Sequence, residues 1–156
     1  MSNIFKLIIS IIICEGVGII AGIATSKSIG DWYQFLNKPS FNPPGWIFGP
    51  VWTVLYLMMG IAFFLVWKEG LDIPGVKTAM IFFIIHLLLN GLWSFVFFLW
   101  RSPGPAFIVI IALWIMIFIC IILFNKISVT ASLLLVPYLL WVSFASVLNF
   151  NIWKLN

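Results

Sequence analysis

Between one charged side chain and the next, this sequence repeatedly runs for about 20 apolar residues. That is the length a helix needs to cross the roughly 30 Å hydrocarbon core of a bilayer. The intervals predict five spans: Phe5–Thr25, Gly45–Trp67, Lys77–Trp100, Gly104–Phe124 and Val129–Trp153. A membrane β-barrel would show alternating segments of about ten residues. Runs such as IFFIIHLLLNGLWSFVFFLW are apolar all round instead. The fold class expected is an all-α membrane protein, a single domain over residues 1–156 built as a five-helix bundle. Residues 26–44 form a long loop between the first two helices.

Composition excludes the alternatives. Only 8% of residues are charged and 64% are hydrophobic, with a mean hydropathy of +1.23, whereas soluble domains carry about 25% charged residues. Eight Lys/Arg and four Asp/Glu cannot coat a soluble enzyme. The cations are scattered rather than gathered on one face, so no nucleic-acid partner is expected. Cys14, Cys120 and the lone His86 lack metal-ligand spacing, and no metal site is expected. Lys6, Lys68, Lys77 and Lys126 fall on one side of the bilayer, and Lys27, Lys38, Arg101 and Lys154 on the other. Four against four leaves the orientation open under the positive-inside rule.

Two local patterns in the first span invite misreading. Lys6 followed by Leu7–Ile13 resembles a signal peptide, but Glu15 interrupts the apolar stretch and argues against cleavage. Gly16-Val-Gly18-Ile-Ile-Ala21 formally matches a dinucleotide fingerprint, yet no parallel sheet or acidic residue follows at the required distance. Gly18 and Gly22 read better as a close-packing stripe, against another helix or a second protomer.

Tryptophans carry the next level of information. Trp46 and Trp67 stand about 31 Å apart along a helix, and with Trp32, Trp100 and Trp153 they mark span ends, as interfacial anchors do. Trp52, Trp93, Trp114 and Trp141 lie inside the spans. Three stripes at helical spacing hold most of these inner indoles: Gly49, Trp52, Tyr56 and Met59; Asn90, Trp93, Ser94 and Phe97; Pro137, Trp141, Ala145, Leu148 and Asn149. Trp52 lies about 9 Å inside Trp46, and Trp141 about 18 Å from Trp153. Polar groups at such depth are costly and mark candidate sites. The stripes therefore predict a pocket between spans two, three and five, beneath residues 26–44. That segment, with Trp32, Tyr33, Phe35, Phe41, Pro39, Pro43 and Pro44, reads as a lid. Asn42 reads as the cap that starts span two. For Glu15 a proton relay has no partner in view, and His86 reads as a satisfied core histidine.

The stretches DWYQFLNKPSFNPPGWIFGPVWTVLYLMMG, NGLWSFVFF and PYLLWVSFASVLNF resemble the translocator protein / tryptophan-rich sensory protein (TspO/MBR) family over the whole chain. The resemblance implies a dimeric five-helix receptor or sensor of a bacterial cell membrane. Its expected ligands are protoporphyrin IX or a related tetrapyrrole, and synthetic benzodiazepine-type or isoquinoline-carboxamide compounds. It places Tyr33, Pro43, Trp52, Tyr56, Asn90, Trp93, Trp141, Ala145 and Leu148 at the ligand, to which the stripes add Ser94 and Asn149. No cofactor is required; the porphyrin is ligand or substrate. Some bacterial relatives degrade protoporphyrin in light, which makes Trp52 and Trp141 the candidate catalytic residues. A tetrapyrrole or sterol transporter is a third reading, and Phe150 stands where a sterol motif would carry Tyr. Lys38 and Arg101 are the candidates to meet porphyrin propionates.

Overall fold

The computed structural model describes residues 1–156 and is all-helical. Five helices are long and apolar enough to cross a membrane: α1 (Asn3–Ile29), α2 (Phe48–Trp67), α3 (Val76–Ser94), α4 (Pro103–Asn125) and α5 (Val129–Leu155). Local chemistry sets their ends. Ser2 and Ser128 accept hydrogen bonds from the backbone N–H groups of Phe5 and Ala131 and so cap α1 and α5, while Pro103 opens α4 where its missing N–H costs nothing. Gly70 and Gly75 turn the α2–α3 connection with φ of 109° and 89°, values that side-chain-bearing residues avoid.

Around the bundle, α1 packs on α2, α2 on α5, α5 on α4, α4 on α3, and α3 returns to α1. In a lipid setting such packing rests on close contact and interhelical hydrogen bonds, because the tails are as apolar as the side chains. Gly60 supplies one such contact: a Cβ there would stand 2.9 Å from the Ile11 Cα. Gly18 supplies another, where a Cβ would meet the Tyr56 ring at 2.5 Å. The expected small-residue stripe thus divides. Gly18 packs within the chain, and Gly22 has nothing within 4 Å of where its Cβ would be.

Three local expectations are corrected. The connection after the first helix does not begin at residue 26, because α1 continues as helix to Ile29. Asn42 does not cap α2: its side chain bonds Tyr33 and the Pro43 carbonyl, and α2 follows a short 3-10 turn, Gly45–Ile47, that Pro44 precedes. Nor is the third span a regular helix to Trp100. Its last turn, Phe95–Leu99, is a π-helix, wider by one residue than an α-turn. That extra residue turns both Phe97 and Phe98 inward, where they are buried and pack edge to face at 4.8 Å. The Phe98 carbonyl accepts a hydrogen bond from Ser28 on α1.

Candidate functional site

Residues 30–47, between α1 and α2, contain a 3-10 turn at Tyr33–Phe35 as well as the one at Gly45–Ile47. The segment is tied down at its middle. Asn37 and Asn156, at the end of α5, exchange hydrogen bonds of 3.1 and 2.9 Å. Tyr33 drops inward from it, buried, with its ring 5.6 Å from Phe98 and 6.3 Å from Phe97. Its hydroxyl donates to Asn42 at 3.3 Å. Burial pushes the Tyr33 phenol above its ordinary pKa, with the Asn42 hydrogen bond acting weakly the other way.

Beneath this segment lies a cavity of about 460 Å³, within the range that holds small organic ligands. Trp52 is its centre. The Trp52 ring lies 6.4 Å from Trp93, 6.4 Å from Trp141 and 5.6 Å from Tyr56. These are offset or edge-on spacings at which aromatic rings attract. Tyr33, Trp52, Tyr56, Trp93, Ser94, Trp141, Ala145, Leu148 and Asn149 all line the space, so nine of the residues expected at the site share one wall system.

Two expected residues do not line it. Asn90 is buried behind Tyr56. It accepts the Tyr56 hydroxyl hydrogen and donates to the Tyr138 hydroxyl at 2.7 Å, so its amide is committed to the core. Pro43 stays within the 30–47 segment, its carbonyl accepting from Asn42. Pro137 is exposed, and the inward face of α5 at that level belongs to Tyr138, fully buried. Tyr138 completes a polar chain, with its oxygen 3.0 Å from His86 Nε2, whose Nδ1 lies 2.7 Å from the Phe83 carbonyl. His86 is therefore a satisfied core histidine set apart from the cavity. The signal for Tyr138 was its place three residues before Trp141, on the same helical face.

One whole wall was not expected from the sequence. Glu15, Gly18, Ile19, Ala21, Gly22, Thr25, Ser26 and Ile29 of α1 line the cavity opposite the indoles. Their spacing of three and four was the available sign. The cavity also takes Phe97 and Phe98 from the π turn, and Phe48 and Gly49 from the start of α2. Trp93 Nε1 donates to Asn149 at 2.9 Å, and Asn149 donates to the Pro103 carbonyl at 2.7 Å. Trp114 lies elsewhere, donating to Ser143 on the α4–α5 face.

Of the cations considered for the mouth, Lys38 sits above the cavity in a shallow recess with Tyr33, Gln34 and Trp46. Its ammonium stands 4.8 Å from the Tyr33 ring centre and donates to the Gln34 and Leu36 carbonyls. Arg101 lies in the α3–α4 connection at φ 51° and lines neither space.

Fold and site together define a five-helix membrane protein with an indole-walled cavity inside the bundle. A model of the TspO/MBR family matches residues 10–154. The chain is 45% identical over 154 residues to the tryptophan-rich protein TspO of Chlorobaculum tepidum, covering 99% of this chain and 98% of that one. It is 42% identical to the protein of the same name from Archaeoglobus fulgidus, covering 99% of each. To the translocator protein of Homo sapiens it is 36% identical over 126 residues, 80% of this chain and 75% of that one. The chain belongs to the TspO/MBR family.

Proposed function

We propose that this protein is a membrane receptor for porphyrins, protoporphyrin IX first among them, held in the cavity beneath residues 30–47. The observation that carries the reading is the convergence of Trp52, Trp93 and Trp141, from three helices, around one space. A flat apolar macrocycle gains most from such walls, because each ring presents a large face at little conformational cost. Residues 30–47 act as the lid, and Lys38 at the mouth meets the propionates. Benzodiazepine-type and isoquinoline-carboxamide compounds compete for the same space. The membrane is the bacterial cell membrane. The protein works as a homodimer, and the interface lies outside Gly18, which packs on Tyr56 of its own chain; mass measurement in nanodiscs checks this.

The test is a titration of the purified protein with protoporphyrin IX, read by tryptophan fluorescence quenching in the dark. Saturable quenching that a Gly22→Phe substitution weakens supports the reading. Quenching unchanged by filling the cavity overturns it.

The 6.4 Å edge-on approach of Trp52 and Trp141 favours a second reading, light- and oxygen-dependent degradation of the bound porphyrin. One electron passing from an indole to the excited porphyrin leaves an indole radical cation and a porphyrin radical anion, and dioxygen is the oxidant for the later steps. The porphyrin carries the difficult chemistry while the protein positions it.

A further inference from the structure

In the whole chain, two buried polar side-chain atoms lack a hydrogen-bond partner, Glu15 Oε1 and Trp141 Nε1. Both residues line the same cavity. The other polar side chains of the α1 wall are engaged: Thr25 donates to the Ala21 carbonyl at 2.9 Å, and Ser26 to the Ile23 carbonyl at 2.9 Å. The hydroxyl of Tyr56, whose ring packs on Gly18 one turn from Glu15, is taken by Asn90. Glu15 is also the one charged residue of the lining, which includes no Lys, Arg or His. It sits at the deep end, about 21 Å along α1 from Ile29 at the lid. An acidic side chain at membrane depth is costly unless paired, and here no partner within the protein pairs it.

We propose that the deep end of the cavity is a cation subsite, in which Glu15 selects flat apolar molecules that carry a protonated nitrogen at one edge. This rests on the reading of the cavity as a site for flat aromatic ligands and adds a charge preference to it. The carboxylate accepts an N⁺–H hydrogen bond, while the indoles hold the ring faces. For a porphyrin, the same charge repels propionates from the deep end and orients them toward Lys38 at the mouth.

The test compares 9-aminoacridine, a flat tricycle protonated at neutral pH, with anthracene, an uncharged tricycle of the same ring shape, in phosphatidylcholine nanodiscs. Protoporphyrin IX is titrated in parallel. The wild type binds 9-aminoacridine more tightly than anthracene. Glu15→Gln weakens the cation by about tenfold or more, the scale of a charge-assisted hydrogen bond, and by a larger factor than it changes anthracene or protoporphyrin IX. Glu15→Asp retains the preference for the cation and covers the case in which the Gln variant misfolds. Equal affinity of wild type and Glu15→Gln for 9-aminoacridine overturns the subsite, as does equal loss for all three probes. Porphyrin binding without cation preference overturns the subsite and keeps the receptor. Glu15-dependent cation binding without porphyrin binding keeps the subsite and overturns the porphyrin reading.

Discussion

Near the chain's N-terminus, α1 and α2 close on each other until a Cβ on Gly60 would stand 2.9 Å from the Ile11 Cα; at Gly22 and Gly49, toward the other end of the same pair, an added Cβ would meet nothing within 4 Å. The closed half is also saturated. Phe63, Phe83 and Phe124 stack at 4.8 and 5.6 Å, and Tyr56, Asn90, Tyr138 and His86 form one hydrogen-bonded chain. The open half holds the cavity and both unpartnered buried polar atoms. One half commits its buried polar side chains to the bundle, and the other keeps two buried polar atoms without partners beside the cavity. A buried acceptor with no partner costs stability, a cost that the cation subsite proposed above would offset when occupied.

Substitutions separate the two halves. The largest effect is expected at Gly60, where Leu would drive a side chain into the Ile11 backbone, which cannot yield as a side-chain tip can. Stability should fall by about 3 kcal/mol, measured by SDS-induced unfolding, and a loss below about 1 kcal/mol would show that the contact is looser than described.

Asn90→Leu comes next. It strands the buried hydroxyl of Tyr56 and takes from Tyr138 one of its two partners, leaving His86, at about 2 kcal/mol. Porphyrin affinity per folded molecule should hold, because Asn90 does not line the cavity. If binding fails while unfolding is unchanged, the amide belongs to the site after all.

In the open half the pattern reverses. Gly22→Phe should leave stability within about 0.5 kcal/mol, as at a site free of packing constraints. It should weaken porphyrin about tenfold, or about 1.4 kcal/mol. A destabilised protein with intact binding would exchange the roles assigned to the two halves.

Trp52→Phe and Trp141→Phe should each weaken dark binding only several-fold, about 1 kcal/mol, since most of the aromatic surface remains. Illumination then distinguishes receptor from enzyme. Retained binding with loss of photoproduct makes the indoles reactants, whereas a parallel decline of both makes them walls. Smallest of all is Tyr33→Phe, which removes a 3.3 Å hydrogen bond to Asn42 and should cost about 0.5 kcal/mol; faster ligand release in stopped flow would show that this bond fastens the lid.

Much of this was legible in the chain itself. Spans about 20 residues long can only be helices in lipid, because every backbone group must find its partner within the segment, and the inner tryptophans share helical faces by spacing alone. Asn90 shows the limit: its spacing puts it on the face of Trp93, but spacing carries no depth. Only the bundle decides that Tyr56 stands between that amide and the cavity. The π turn at Phe95–Leu99 is equally invisible in an apolar run that reads as uniform helix.

What the sequence by itself determined was the five-helix membrane class, the family, and the set of indoles that face inward, since these come from length, periodicity and motif. What only the tertiary structure decided was which helix supplies the opposite wall, that Gly18 closes a contact while Gly22 opens a space, and that Glu15 Oε1 and Trp141 Nε1 are the two buried polar atoms left without partners. The physical reason is that hydrogen-bond satisfaction and free volume are properties of neighbours, and α1 meets α2 and the π turn only after the bundle has closed.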